Sequence, residues 1–272
     1  MADFVHVVMT RFNLATPGRE ASFRTQPDWL ATRFDLFERY CLPGMAAQTE
    51  QDFAWMIFFD DQTPQAFKDR IEELRRIRPF IPFYTPLFPG DGWRDAVFAR
   101  IEARPPALLT TNLDNDDSLA VDFVARLQAA ARAHLGGPAC ALNFTNGFVL
   151  SGERLYAHAH RSNAFTNLLE PFDTTARTAP AIPHMELARH LPVHQLDGPG
   201  AWLQVVHGGN VSNKIRGRRI SCAEANGRFA PAAIAQMRDP GMAETVAERL
   251  VGEPLRQARD GAIALARRLR GR

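Results

Sequence analysis

The chain has 272 residues, of which 46% are hydrophobic and 23% are charged, and its formal net charge is +2. These values are typical of a soluble globular protein with one large α/β domain or two small ones, and the small net charge argues against nucleic acid as a partner. Three widely separated cysteines indicate neither a disulfide framework nor a thiolate zinc site, so a cytoplasmic location is predicted. The N-terminal residues predict no signal peptide, and the sequence has no apolar run of membrane-spanning length.

The first half of the sequence predicts strands that alternate with helices. Short apolar runs that predict buried strands occupy residues 5–10, 53–59, 80–84 and 107–113. Pro82 confines the third of these strands to a sheet edge or a bulge. The helices between and after them are predicted to begin near Leu30, Pro64, Trp93 and Ser118. The first helix is expected to end at Pro43-Gly44, and Thr63 is the predicted N-cap of the second.

After residue 138 the sequence changes to short extended segments. These are ACALNF (139–144), GFVL (147–150), RLYAHAH (154–160) and AWLQVVH (201–207). Between them, SNAFTNLLEPF (162–172) predicts a brief helix. Helices alternating with strands first, and mixed strands later, predict a single mixed, mostly parallel α/β sheet with flanking helices. A nucleotide-binding half would cover about residues 1–137, and a more variable half about residues 138–240.

Acidic side chains follow two of the predicted strands, and the second group lies in TTNLDNDDSL (110–119). Open α/β sheets bind ligands beyond the carboxyl ends of their strands, so Asp60 and Asp114 should both open onto that crevice. Clustered carboxylates with few basic residues nearby suit a hard divalent cation such as Mg²⁺ or Mn²⁺. The alternative is that Asp117 and Ser118 cap the next helix, which accounts for Asp117 but leaves Asp114 and Asp116 unexplained.

The D-x-D pattern also occurs in other kinds of site. An EF-hand loop that starts at Asp114 would need glycine and glutamate where the chain has Leu119 and Ala125, which excludes it. The pattern also resembles the nucleophile loop of haloacid-dehalogenase-like phosphotransferases, although that family places the loop on its first strand. A phosphotransferase or hydrolase with Asp114 as nucleophile therefore stays open. A non-catalytic carbohydrate-binding protein on the same fold is a second alternative.

Several ordered motifs resemble one known family. They are RFDLFERYCLPGMAAQT, MIFFDDQTPQ, TTNLDNDDSL, NGFVLSGERLY, SNAFTNLLE and WLQVVHGGNVSN. With these motifs the chain is similar, from near its start to about residue 213, to the bacterial rhamnosyltransferase family of GT-A-like glycosyltransferases. The resemblance implies a GT-A-like domain over residues 1–240 with a nucleotide-binding and an acceptor half. It also implies metal-dependent transfer of a sugar, with rhamnose as the first candidate, from a dTDP or UDP donor to an acceptor hydroxyl.

The resemblance also implies roles for individual residues. Nucleotide-binding roles fall to Thr10, Arg11, Asp60, Asp114, Asn210, Ser212 and Lys214, and roles in holding Mn²⁺ or Mg²⁺ to Asp114, Asp116 and His207. Asp60 would accept the N3–H of a uracil or thymine base. The glycines after His207 would let the backbone approach phosphate oxygens. The alternative for this segment is a tight turn with His207 hydrogen-bonded near the surface.

The acceptor side is less specific in sequence. Inverting transfer from a β-linked donor requires a base for the acceptor hydroxyl, and Glu170 at the end of the predicted brief helix is the first choice. Asp173 and Glu153 remain open as bases, and His184 could contact either substrate. Residues 241–272 predict a basic helical extension that either packs on its own domain or rests weakly on the inner membrane face, where a carbohydrate or lipid-linked acceptor would be met.

Overall fold

A seven-stranded sheet is the centre of the computed structural model, which describes residues 3–14, 28–86, 92–207, 215–256, 258–259 and 261–262. Its strands are β1 (Phe4–Arg11), β2 (Ala54–Asp60), β3 (Ile81–Thr85), β4 (Ala107–Asn112), β6 (Cys140–Phe144), β9 (Asn167–Pro171) and β10 (Val193–Leu196). Their order is β3-β2-β1-β4-β9-β6-β10. Strand β9 runs antiparallel to both of its neighbours, and the other pairs are parallel. The predicted mixed, mostly parallel α/β sheet is confirmed.

A second sheet of five strands lies beside the first. It contains β5 (Ser118–Leu119), β7 (Asn146–Ser151), β8 (Arg154–Ala159), β11 (Trp202–Val206) and β12 (Arg218–Arg219), in the order β12-β8-β7-β11-β5. The extended segments predicted after residue 138 are confirmed as β6, β7, β8 and β11. The prediction of a single sheet is wrong, because β7 and β8 form a hairpin that pairs with β11 and not with the central strands.

The described residues form eight α-helices. They are α1 (Trp29–Leu36), α2 (Leu42–Ala46), α3 (Gln65–Leu74), α4 (Trp93–Arg100), α5 (Phe123–Ala133), α6 (Leu187–His190), α7 (Pro231–Ile234) and α8 (Met242–Ala247). A π-helical segment, Phe37–Cys41, joins α1 to α2, and another, Glu248–Gly252, continues α8. Alternate residues of the strands pack on α1, α2, α3 and α5 on one face, and on α4 on the other. Among the described residues, no helix combines the length and apolarity needed to cross a bilayer.

The aromatic residue after β1 fixes the end of that strand. Phe12 is 1% exposed, and its ring centroid lies 4.6 Å from that of Phe34 and 4.9 Å from that of Phe59. Burial of one such side chain contributes roughly 1.5–3 kcal/mol. Because Phe12 is anchored by α1 and β2, its carbonyl oxygen is a fixed acceptor for the loop that follows β4.

Two predicted helix boundaries are wrong for local reasons. The first helical stretch continues through Pro43-Gly44 to Ala46, since proline is tolerated in the first turn of α2. Thr63 does not cap α3; its hydroxyl donates to the Asp60 carbonyl, and Pro64 holds the N-cap position. Two other errors, the helix predicted to begin near Ser118 and the brief helix predicted at 162–172, are described with the site below.

Candidate active site

The loop between β4 and β5 carries the acids and is held on three sides. The Asn115 side chain donates to the Phe12 carbonyl at 3.0 Å, which ties the loop to the end of β1. Asp117 Oδ1 accepts the backbone N–H of Val205 at 2.8 Å, which ties it to β11. On the third side a Cβ on Gly44 would meet Ser118 Oγ at 2.3 Å, so α2 can approach β5 only with glycine at this position.

These contacts correct the expectation that Asp117 and Ser118 cap a helix. Ser118 and Leu119 form strand β5, which pairs with β11 antiparallel. The next helix, α5, begins at Phe123. The Asp117 carboxylate therefore orients the second sheet against the acidic loop, and it also belongs to the acid cluster.

Asp114, Asp116 and Asp117 form that cluster. One carboxylate oxygen from each lies within 4.8 Å of the other two. Asp116 Oδ2 accepts from Arg33 Nη1 at 2.9 Å and from His207 Nε2 at 2.8 Å. Burial opposes ionisation of Asp116, but the hydrogen bond from His207 and the positive charge of Arg33 hold its pKa below the usual value. Asp116 is therefore an anion at neutral pH.

The neighbouring acid titrates in the opposite direction. Burial, followed by the charges of Asp116 and Asp114, raises the pKa of Asp117 well above its ordinary value. The same environment, burial first and then the three acids, raises the pKa of the Cys41 thiol well above its usual range. The site thus concentrates negative charge in a buried place, which is an unfavourable arrangement unless cations offset it.

The donor set fits a hard divalent cation. Mg²⁺ and Ca²⁺ take carboxylate oxygens at about 2.0–2.6 Å, so two oxygens on one ion are at most about 5 Å apart, and the cluster meets this limit. His207 Nε2 reaches the cluster through its contact with Asp116, and its role as a metal ligand stays a prediction. Arg33 was missed by sequence analysis because it lies 83 positions before Asp116 on α1, with no motif linking the two.

A cleft of about 410 Å³ opens beside the acids. One wall consists of strand-end residues of the central sheet, Arg11, Asn112 and Asp114. The opposite wall comes from the second half of the chain and includes His158, His160, Asn163, Phe165, His184, Trp202 and Arg216. The side chains that line this cleft therefore come from both halves of the sequence.

Three histidines are close together on the second wall. The ring centroids of His158 and His160 are 5.5 Å apart, and those of His160 and His184 are 6.5 Å apart. Burial, together with the charges of His158, Arg216 and His184, lowers the pKa of His160 to about 4, so its ring is neutral at pH 7. His184 was singled out in the sequence, whereas His158 and His160 were assigned only to a strand, since alternation along RLYAHAH gives no sign of which face meets a ligand.

Thr10 and Arg11, the two residues of β1 predicted to bind nucleotide, point to opposite faces of the sheet because side chains alternate along a strand. Arg11 lines the cleft. Thr10 is fully buried on the other face, where its hydroxyl accepts from the Trp55 indole N–H at 2.9 Å. The prediction of a nucleotide contact through the Thr10 side chain is therefore wrong. Asp60 is on the same sheet face as Arg11, because Phe58 pairs with Arg11 and Asp60 follows two residues later.

The predicted base lies at the wrong end of its strand. Residues 167–171 form strand β9, not a helix, and Glu170 pairs with Leu108 near the start of β4. Asp114 is six residues further along, roughly 20 Å away at about 3.3 Å per residue. Glu170 is instead buried in an ion pair with Arg177, at 2.7 Å. Burial raises its pKa although Arg177 acts in the opposite direction. The assignment of Glu170 as catalytic base is therefore wrong.

The other predicted site residues are less informative. Asp173 accepts from the Thr175 hydroxyl, at 2.6 Å, in the segment after β9. Glu153 is in the β7–β8 turn and pairs with Arg238 at 3.4 Å. The predicted phosphate donors Asn210, Ser212 and Lys214 lie outside the described residues.

Comparison with known proteins gives a family and a set of similar structures. No curated protein matched the sequence. The chain is 10% identical to Staphylococcus aureus TarS 1-349 in a complex with UDP-GlcNAc, with a TM-score of 0.48 over 76% of this chain and 60% of that one. It is 11% identical to a "putative nucleotide-diphospho-sugar transferase" from Desulfovibrio desulfuricans G20, with a TM-score of 0.38 over 75% of this chain and 81% of that one. The chain thus spans about three fifths of the TarS chain that it matches.

The family match covers most of the sequence. The profile of the family described as "Putative rhamnosyl transferase" matches residues 5–219. This range includes the acidic loop, the histidines of the cleft and both sheets. The predicted glycosyltransferase family is confirmed, and the chain belongs to this rhamnosyl transferase family.

Proposed function

We propose that the protein is a metal-dependent glycosyltransferase that moves a sugar, rhamnose by family description, from a nucleoside diphosphate to an acceptor hydroxyl with inversion. The observation that carries this proposal is the Asp114–Asp116–Asp117 cluster at the carboxyl end of β4, directly beside the cleft. Ligands of open α/β sheets bind at this edge, and a cluster of carboxylates there suits a cation that bridges to phosphate. The donor is a dTDP- or UDP-sugar.

Asp114, Asp116 and His207 would hold Mn²⁺ or Mg²⁺. Such an ion acts as a Lewis acid that stabilises the negative charge of a departing diphosphate. Side chains around the cluster would determine where in the cleft this negative charge is stabilised. Arg11 adds a positive side chain to the same wall of the cleft, and Arg33 keeps the Asp116 carboxylate oriented and ionised.

Asp60 is the proposed contact for the nucleobase. Its backbone N–H donates to Asn13 Oδ1 at 3.0 Å, and its Oδ1 accepts from the Gln62 N–H at 2.8 Å. These bonds fix the carboxylate at the end of β2, on the sheet face that also carries Arg11. A carboxylate in a fixed position accepts the N3–H of uracil or thymine and rejects cytosine, which has no donor there.

His184 replaces Glu170 as the proposed base. It lines the cleft, and its Nδ1 is 2.6 Å from the Ser162 carbonyl oxygen. Because a carbonyl can only accept, Nδ1 carries the proton, and the neutral ring has its lone pair on Nε2. A ring held in this tautomer can take the proton of an acceptor hydroxyl through Nε2. The Ser162 hydroxyl in turn donates to the His184 carbonyl, which fixes the backbone of the base.

The test is metal-dependent stabilisation by nucleotides. UDP, dTDP and CDP are added with and without Mn²⁺ or Mg²⁺, and the melting temperature is measured. At a hundred times its dissociation constant a ligand adds about 2.7 kcal/mol, or roughly 5 °C for a chain of this size. We expect this shift for UDP or dTDP with metal, and its loss in Asp116→Asn. Asp69→Asn is the matched control, since Asp69 is exposed on α3 and bonds only locally to Gln65.

Sugar transfer and the base are tested on the same samples. A panel of UDP- and dTDP-sugars is screened for stabilisation and for release of nucleoside diphosphate. His184→Gln should keep the metal-dependent melting shift and lose turnover by two orders of magnitude or more. If no nucleotide stabilises the protein, the proposal fails. A trapped phosphoryl mimic on Asp114 would favour phosphotransfer instead, and sugar binding indifferent to nucleotide and chelator would favour a carbohydrate-binding protein.

A further inference from the structure

A second set of metal-binding side chains lies away from the acid cluster. His134, Cys140 and His194 each offer one ligand atom, and the three atoms are within 4.8 Å of one another. The imidazole ring centroids are 4.1 Å apart, with the planes 32° from parallel. Nothing in the proposed glycosyl transfer uses these residues.

Sheet register separates this set from the active site. Cys140 pairs with Leu169 of β9, which in turn pairs with Leu109 of β4. Cys140 is therefore level with Leu109, five residues before Asp114, or roughly 16 Å along the strand direction. It also points to the sheet face covered by α5, because it belongs to the same core cluster as Leu127 of that helix. The acid cluster and the cleft cannot share an ion with this set.

Three separate elements bring the ligands together. His134 follows the last turn of α5, three residues after the buried Ala131, and so extends the helix face that packs on the sheet. In the parallel pairing of β10 with β6, His194 is opposite Leu142. Because side chains alternate along a strand, His194, Leu142 and Cys140 share one face. The end of a helix, an inner strand and the edge strand of the sheet thus meet at one point.

The chemistry of the set differs from that of the acids. Two imidazole nitrogens and one thiolate sulfur are borderline-to-soft ligands, which Zn²⁺ binds at about 2.0–2.1 Å and 2.3 Å. Mg²⁺ does not favour such ligands. The set is closed on one side by the buried Cys140, which is 1% exposed, and open on the other at the exposed His194. An ion can therefore enter from solvent and keep one position for water.

We propose that His134, Cys140 and His194 bind Zn²⁺ or a similar nitrogen- and sulfur-seeking divalent cation, which clamps the end of α5 to the edge strand β10. An ion that binds only the folded chain stabilises it by mass action. Strand β10 has a sheet partner on one side alone, β6, among the described residues. The bound ion would therefore stabilise the edge of the sheet formed by β10.

The experiment uses the full chain, stripped of metal and then saturated with Mg²⁺ so that the acid cluster is occupied. Titration with Co²⁺ should give a thiolate-to-cobalt absorption band that saturates at one equivalent and disappears when Zn²⁺ is added. Zn²⁺ should also raise the melting temperature. In Cys140→Ser the band should be lost, and in His194→Ala the affinity for Co²⁺ should fall at least tenfold.

The controls separate this site from other sources of the signal. His190→Ala removes another exposed histidine nearby, on α6, and should leave the titration unchanged. Asp116→Asn should also leave it unchanged, which makes the result independent of the proposed glycosyl transfer. A missing thiolate band, or a band that persists in Cys140→Ser, overturns the proposal. If Cys140→Ser fails to fold, His194→Ala decides, since an affinity equal to that of the unmodified chain refutes the site.

Discussion

The smallest change that should damage the cleft is one methyl group on Gly147. This residue is in β7, beside Trp202 of β11, and a Cβ here would lie 2.0 Å from Cδ2 and 2.3 Å from Cε2 of the indole. Carbon atoms in contact are about 3.5–4.0 Å apart. The indole must therefore move by more than about 1 Å in Gly147→Ala. It cannot do so without disturbing its other contacts.

Those contacts set the size of the effect. The Trp202 indole N–H donates to the Phe144 carbonyl at 2.9 Å, and the ring stacks on Phe165 with centroids 5.2 Å apart. Overpacking of this kind costs about 1–3 kcal/mol, and a buried N–H without its acceptor costs about 1–3 kcal/mol more. We expect the free energy of unfolding to fall by about 2–5 kcal/mol, and the melting temperature by roughly 5–15 °C.

Thermal and urea unfolding measure this loss, and nucleotide binding measures the damage to the cleft wall. Gly241→Ala is the matched control, because a Cβ there meets nothing within 4 Å and φ is −67°. Gly241 is also the N-cap of α8, where alanine is less favourable than glycine, so the control should lower stability by less than about 1 kcal/mol. The decisive comparison repeats Gly147→Ala in a Trp202→Leu background, where the cost should shrink. An equal cost in both backgrounds, or no cost at all, would refute the steric argument.

Two further predictions concern pH and the C-terminal helix. Burial lowers the pKa of His6 to about 3 in the folded chain, against 6.5 for an ordinary histidine. On acidification the unfolded chain therefore binds this proton first. The contribution of the neutral His6 to the free energy of unfolding is complete above pH 6.5 and has fallen by about 2 kcal/mol at pH 5. Urea unfolding at pH 8 and pH 5 should show a smaller loss in His6→Gln, and an equal loss would contradict this origin. Met242 and Leu250 are 89% and 73% exposed, so the full chain should sediment with anionic vesicles at low salt and Leu250→Glu should not. Binding to neutral vesicles alone, or to none, would leave this helix without a membrane role.

The central strands could be predicted because each one is marked by the hydrophobic pattern of its own residues. Residues 54–60 and 107–112 are short apolar runs bounded by polar residues, and their buried, parallel setting follows from that pattern. Pro82 likewise placed β3 at an edge, and β3 is the edge strand beside β2. The same reasoning put acids at strand ends, and Asp60 does end β2 while Asp114 follows β4. Position along a strand is therefore readable from sequence when the strand has a clear start and end.

Strand β9 could not be predicted from local sequence patterns. Its residues 167–170 are buried on both faces, so no alternation marks them as a strand. The polar Asn167 is tolerated there because it donates to the Leu142 carbonyl and accepts from the Thr111 hydroxyl, on the two flanking strands. Both partners are distant in sequence, and so the segment was predicted as a helix. That error placed Glu170 on the acceptor side of the cleft, although its strand runs the opposite way.

The acids themselves show how a correct motif can have an unexpected partner. Three carboxylates in a buried loop need positive charge, and the D-x-D pattern alone points to a metal ion. The fold supplies some of that charge internally, because Arg33 and His207 both donate to one oxygen of Asp116. Coulomb attraction at these distances is strong in a buried site, so a cation must compete with Arg33 for Asp116. Arg33→Met should therefore destabilise the metal-free protein by a few kcal/mol, since it leaves a buried charge with one partner fewer. Added Mn²⁺ should recover more stability in this variant than in the unmodified chain. If the recovery is equal, Arg33 and the ion do not share the oxygen, and the charge of the cluster is balanced in some other way.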